Sequence, residues 1–212
     1  MASANANTHV SRRGARARAV PERPRGAARR EALLEAVLQI VAEVGADAVT
    51  HRRVAEVAGL PLASTTYWFD SKEHLLTAAL ELAAERDVAR LKAYVAEPPA
   101  GADPIDVAVG AILGPLHEGM QGTRGSLVAT YALLLEAARR RALQTVARRW
   151  SDAYLEALGR LLAVAGSRDP RADAELLIAA TDGLLIEQLA SGKSTDLCPR
   201  LARLTAALVA SP

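Results

Sequence analysis

Apolar residues recur at helical spacing through most of this chain. Leu33, Val37, Ile40, Val41 and Val44 form one stripe, with Glu35, Gln39 and Glu43 off it, so a helix is predicted from near Ala27. Gly45 follows the last stripe residue, where a helix-ending glycine belongs. Thr50 can cap a short helix over residues 51–58, because its hydroxyl can accept an orphan backbone N–H. Gly59 ends that helix. Pro61 opens a third, reaching about Trp68, since a missing N–H costs nothing at a first helical position. Asp70-Ser71 interrupts the pattern, and Ser71 caps a long helix from Lys72 to about Ala96.

Pro98, Pro99, Gly101 and Pro104 mark the next break. Residues 105–118 read as a helix that Gly114-Pro115 should kink or split, and 120–125 read as loop. Helices follow over about 126–140, 143–165, 171–191 and 197–210, with a bend at Arg139-Arg140-Arg141 and a turn over 166–170. The pattern predicts nine or ten helices, no convincing strand and no repeat. Composition agrees: aromatics are only 3% of the chain, and alanine and leucine, both good helix formers, dominate the apolar half. The fold class is all-α. Residues 1–26 carry no hydrophobic period and read as a disordered arm.

Charge divides the chain unevenly. Residues 1–30 hold eight arginines against Glu22 alone, whereas residues 31–75 hold Arg52, Arg53 and Lys72 against seven acids. A basic arm beside an acidic body points to a polyanionic partner, first of all nucleic acid. The competing reading is an inert solubilising tail. Cys198 stands alone, so no internal disulfide and no cysteine zinc site is possible, and no residues show metal-ligand spacing. No Gly-rich phosphate loop, serine elbow or H-E-x-x-H occurs, so neither an enzyme nor a bound cofactor is expected. No apolar run reaches the roughly 18–20 residues that span a bilayer, and no apolar segment follows the first arginines as in a secretory signal. A soluble cytoplasmic protein without a membrane partner is expected.

The segment from Thr50 to Leu75, THRRVAEVAGLPLASTTYWFDSKEHL, places two short helices around a glycine turn. That is the pattern of a helix-turn-helix. Ala55 is small where the helices approach, Gly59 can take a positive φ, and Val54, Val57 and Leu60 supply apolar contacts beneath the pair. Ser64, Thr65, Thr66 and Tyr67 bring hydroxyls suited to phosphates and base edges. Through Thr50, Val54, Ala55, Ala58, Gly59, Leu60, Phe69, Ser71, Lys72, Glu73 and Leu75, the region 28–80 resembles the TetR family of transcriptional regulators. It departs from that pattern at Pro61, Leu62 and Ala63, where Ser, Lys and Gly are frequent, and at Thr66 and Trp68, where Tyr and Tyr or His are usual. These changes should alter the operator read, not the fold.

The resemblance implies a DNA-binding head over 27–75 and an effector-binding, dimerising body over 76–212. It implies a repressor that binds double-stranded operator DNA as a homodimer and is released by a small molecule. Candidate DNA contacts are Arg25, Thr50, His51, Arg52, Arg53, Ser64, Thr65, Thr66, Tyr67, Trp68 and Lys72. Trp68 and Phe69 also read as packing for a small domain, and Lys72 as a solvent-facing lysine near a helix start, where the macrodipole disfavours it.

The implied interface helices are about 143–165 and 172–191, with Leu155, Leu158, Leu162, Leu177, Leu184, Ile186 and Leu189 offering apolar surface, some of it for the subunit's own core. Gly183, costly inside a helix by about 1 kcal/mol, points to close helix approach. Pocket candidates are Tyr94, His117, Met120, Tyr131, Glu136, Trp150 and Tyr154, each also readable as ordinary core or surface. So few aromatics point to an aliphatic cavity and a lipophilic effector. A helical adaptor without DNA binding is the alternative, supported by the departures at Pro61, Leu62 and Thr66.

Overall fold

A computed structural model describes residues 24–97, 100–122 and 124–210, with the side chains of 24, 25 and 115–122 outside that description. Most of the predicted arm therefore lies outside the described residues. Among those residues the chain is all-helical, with nine α-helices and one 3₁₀ turn at Ala46–Ala48. The first helix, α1 (Pro24–Val44), starts earlier than its apolar stripe predicts. Its leading turns carry arginines rather than core residues, so periodicity could not reveal them. Leu33, Val37, Ile40 and Val41 are buried as the stripe requires, but Val44 is 53% exposed at the helix end.

Two short helices follow, α2 (His51–Val57) and α3 (Leu62–Trp68). Thr50 caps α2 by accepting the Arg53 N–H at 3.2 Å. The turn between them closes with paired bonds, Gly59 N–H to the Glu56 carbonyl and Leu60 N–H to the Ala55 carbonyl. That pairing is a Schellman stop, and Gly59 meets its demand for a left-handed residue with φ +64°. Val54 and Ala55 are buried beneath the pair, but Val57 is 40% exposed and does not share that role. Ser71 then caps α4 (Lys72–Ala96), accepting the His74 N–H at 3.1 Å.

The body comprises α5 (Pro104–Gly122), α6 (Arg124–Ala137), α7 (Arg141–Val164), α8 (Pro170–Ser191) and α9 (Cys198–Val209). Of the kink or split expected at Gly114-Pro115 the split does not occur, and the loop expected over 120–125 is mostly helical: α5 runs through to Gly122 and α6 begins two residues later. An interior proline costs about 3 kcal/mol. Burial of Val107, Ala108, Val109, Ala111, Ile112 and Leu113 offsets that cost. The start of α6 is held by Arg124, which donates to the Leu189 carbonyl on α8 at 2.7 Å.

The buried residues form two clusters. The first joins α1, Val54 and Phe69 to the early part of α4, then continues into Ala129 and Leu133 of α6 and Leu143 and Val146 of α7. The second gathers Leu91 at the far end of α4 with α5, the later half of α7, α8 and α9. Helices α4 and α7 pack along each other and carry residues of both.

Candidate DNA-contact face and effector cavity

The helix-turn-helix presents one polar face. Thr50, Arg52, Arg53, Thr66 and Tyr67 are exposed, and Ser64 is half-exposed. Tyr67 stands out at 77% exposure and touches Trp68 only edge to face, with centroids 4.8 Å apart. Thr50, Arg52 and Arg53 line a shallow groove with Glu56. His51 is half-buried, and its Nδ1 is buried without a partner.

Three candidates have partners inside the chain. Thr65 is fully buried and its hydroxyl donates to the Leu62 carbonyl at 2.8 Å, so it faces the core and not a groove. Ser64 and Thr66 face elsewhere because a helix has about 3.6 residues per turn. Trp68 is half-buried, packs against the first core cluster and lies over Gly26 of α1. Lys72 donates to the Asp47 carbonyl at 2.9 Å and pairs with its carboxylate at 3.6 Å, tying the 3₁₀ turn to the start of α4. Arg25 lies in α1 with its side chain outside the described residues.

The acidity of the head is partly absorbed in the same way. Arg86 of α4 donates to Glu31 at 2.6 Å and also to Glu35, both on α1. Three of the seven acids counted against DNA binding are thus paired with cations of α4. Because Tyr67 makes so little internal contact, Tyr67→Ala should change stability by less than about 0.5 kcal/mol. The same substitution should weaken operator binding and alter base preference, whereas Lys72→Ala should weaken all DNA alike. Wild-type affinity and salt dependence in both variants, measured by fluorescence anisotropy, would remove these residues from the DNA face.

Between α4, α5, α6, α7 and α8 lies a cavity of about 160 Å³. Tyr131, Trp150 and Tyr154 line it, as the sequence expectation had them, together with Ile112, Leu134 and Leu185. Six aliphatic side chains line it, and three of the seven aromatics meet them there with two carboxylates, Asp87 and Asp182. Trp150 Nε1 and the Tyr154 hydroxyl both donate to Asp87 Oδ2, at 3.0 and 2.7 Å. The Tyr131 hydroxyl donates to Asp182 Oδ1 at 3.0 Å. Burial first, and then the adjacent carboxylates, push both tyrosine hydroxyls well above the ordinary phenol range. They remain neutral donors. Burial raises Asp182 above the usual carboxylate range, and the Tyr131 hydrogen bond opposes that rise.

Tyr94 and Glu136 do not line the cavity. The Tyr94 ring instead fills the space over Gly110 of α5, where an added Cβ would lie 1.9 Å from its hydroxyl. Glu136 pairs with Arg140 one turn along the chain at 2.8 Å. His117 and Met120 fall in α5 with side chains outside the described residues. Asp87 and Asp182 escaped the sequence analysis, although a signal was present. Leu76, Leu80, Ala84, Asp87 and Leu91 fall at steps of three and four, so a carboxylate stands on the buried stripe of α4.

An N-terminal helix-turn-helix is thus joined by one long helix to a cavity-bearing helical body. Residues 101–211 match the model of the tetracyclin repressor-like C-terminal domain. A TetR-family member from Streptomyces coelicolor A3 is 33% identical, covering 86% of this chain and 99% of its own, with TM-score 0.67. The multidrug binding protein EbrR complexed with ethidium is 30% identical, with coverage of 86% and 99% and TM-score 0.62. The regulator FadR from Bacillus subtilis, in complex with stearoyl-CoA, shares the fold at 16% identity, with coverage of 85% and 98% and TM-score 0.69. No curated protein matches the chain. The chain belongs to the TetR family of transcriptional regulators.

Proposed function

We propose that this protein is a dimeric repressor that binds a palindromic operator through α2 and α3 and is released when a small molecule enters the cavity. One observation carries the reading. Helix α4 is a single 25-residue element with the head capped onto its first turn and Asp87 in the cavity wall. A ligand that moves Asp87 therefore moves the head. Arg86, the neighbouring residue, ties the same stretch of α4 to α1 through Glu31 and Glu35. EbrR, a relative bound to ethidium, supports a small-molecule effector. A ligand shifts such an equilibrium only by its differential affinity for the two states, typically 1–3 kcal/mol of coupling. A ligand that fills the cavity should thus lower operator affinity roughly 5- to 150-fold. Anisotropy titrations on DNA upstream of the encoding gene, with and without that ligand, test it. Tight cavity binding with unchanged operator affinity would refute the switch.

Dimerisation rests on α7 and α8. Leu155, Leu158, Leu162 and Leu177 are buried in the subunit's own core and are the part of that apolar surface that serves it. Val164, Leu176 and Ile186 are instead 76%, 55% and 49% exposed. Gly183 has nothing within 4 Å of an added Cβ, so no contact inside the chain accounts for it and its open side is free for a partner helix. A dimer places two recognition helices about 34–36 Å apart, one turn of DNA. Light scattering at micromolar concentration should give twice the chain mass, and Ile186→Glu should shift it toward the monomer.

The second reading, a helical adaptor without DNA binding, is favoured by Leu62, 51% exposed at the start of α3 where a polar contact would be of more use. Absence of binding to the upstream DNA at low salt would select it.

A further inference from the structure

The cavity holds an electrostatic imbalance. Asp87 is 9% exposed and accepts two neutral hydrogen bonds, with Arg90 at 3.5 Å from its other oxygen. Asp182 accepts only from Tyr131, and among the described residues no cationic side chain lies within ion-pair distance of it. An ionised carboxylate offers about four acceptor sites, and one neutral donor leaves most of them unmet. Burial with so few partners is what raises Asp182, and a cation beside it would favour its ionised form. Both carboxylates bear on the same space, since each raises the two cavity tyrosines.

The walls have complementary chemistry. Tyr131, Trp150 and Tyr154 bring aromatic rings, whose faces attract cations by about 2 kcal/mol or more once water is excluded. The space is also small, since a closed cavity of about 150 Å³ accepts a single benzene ring. A free volume of about 160 Å³ with one side open to solvent suits one aromatic ring whose small charged head reaches toward the opening.

We infer that the cavity takes a compact aromatic organic cation, its positive centre held by Asp182 with Asp87 and its ring packed among Tyr131, Trp150 and Tyr154. This rests on the reading of the cavity as the effector site and adds the charge and size of the effector. Asp182 sits on α8 and Asp87 on α4, so one cation draws the two helices together. A neutral molecule of the same shape has no such grip.

Calorimetric titration of the full-length protein with phenyltrimethylammonium and with its neutral isostere tert-butylbenzene tests the inference. The cation should bind roughly tenfold or more tightly than the isostere. Asp182→Asn should collapse that preference. Equal or tighter binding of tert-butylbenzene, failure of the cation to bind, or a preference undiminished in Asp182→Asn would overturn it. If the variant does not fold, the two probes on the wild-type protein decide alone. Operator titrations separate this inference from the function it rests on. Cation-selective binding that leaves DNA affinity untouched supports the inference and refutes the switch. Release of DNA by both probes alike supports the switch and overturns the inference.

Discussion

Removing residues 1–23 should flatten the salt dependence of operator binding by several logarithmic units while leaving base preference in place. Those residues carry Arg12, Arg13, Arg16, Arg18 and Arg23 against Glu22, and α1 begins at Pro24, so the cut spares the helix. Each neutralised phosphate contributes about −0.9 to the slope of log affinity against log salt. Half of the arginines of two arms on a dimer would therefore account for about 4 to 5 units. Between residues 31 and 75 the head retains only Arg52, Arg53 and Lys72 as cations, and Lys72 is engaged by Asp47. Arg25, Arg29 and Arg30 at the start of α1 stay in the truncated protein and keep a residual slope. Arms of this kind follow the backbone or enter the minor groove in other helix-turn-helix proteins. The loss of affinity should be greatest at low salt, and Tyr67 should still read its bases. A truncated protein with the full-length slope would show the arm to be inert.

Phe69→Ala should destabilise the protein by about 3–5 kcal/mol, a large share of the 5–15 kcal/mol typical of a domain. Phe69 is 1% exposed, the largest side chain in the first core cluster. Its ring meets His74 edge to face at 5.3 Å and carries the Arg30 guanidinium 5.8 Å above its centroid. Truncation leaves a cavity where α1, α3 and α4 converge, and no neighbour can fill it without abandoning its own contacts. The same cluster reaches α6 and α7, so the cost falls on the whole molecule and not on a fraying head. Thermal denaturation followed by circular dichroism should show one transition moved down by many degrees. A loss under about 1 kcal/mol, or a separate low-temperature transition for the head alone, would contradict this packing.

The helix-turn-helix was readable because its constraints are local. Thr50 and Ser71 cap as their hydroxyls dictate, and Gly59 takes the one backbone conformation that its turn demands. Where long-range packing decides, local signals failed. Pro115 reads as a break by propensity, yet the surrounding core keeps α5 helical. Thr65 looks like its neighbours Ser64 and Thr66, and only the direction of the helix sends it inward. The cavity was half legible. Scarce aromatics drew attention to Tyr131, Trp150 and Tyr154, but Tyr94 is as scarce and serves to wedge α5 against α4 at Gly110. Asp87 and Asp182 look like surface acids until the partners of their oxygens, on α7 and α6, are brought beside them by the fold.

The first core cluster runs from α1 through the early part of α4 into α6 and α7 without a seam at the end of the helix-turn-helix. Grafting is therefore constrained. A chimera that joins a foreign head at residue 75 would set borrowed α1 side chains against the α6 surface that carries Ala129 and Leu133, which was shaped to other knobs. A transplant that keeps the fold has to carry the α4 segment through Ala84 and re-tailor the facing surface of α6. On the proposed function, operator specificity is accordingly easier to rewrite at Tyr67 and its exposed neighbours than to import as a module.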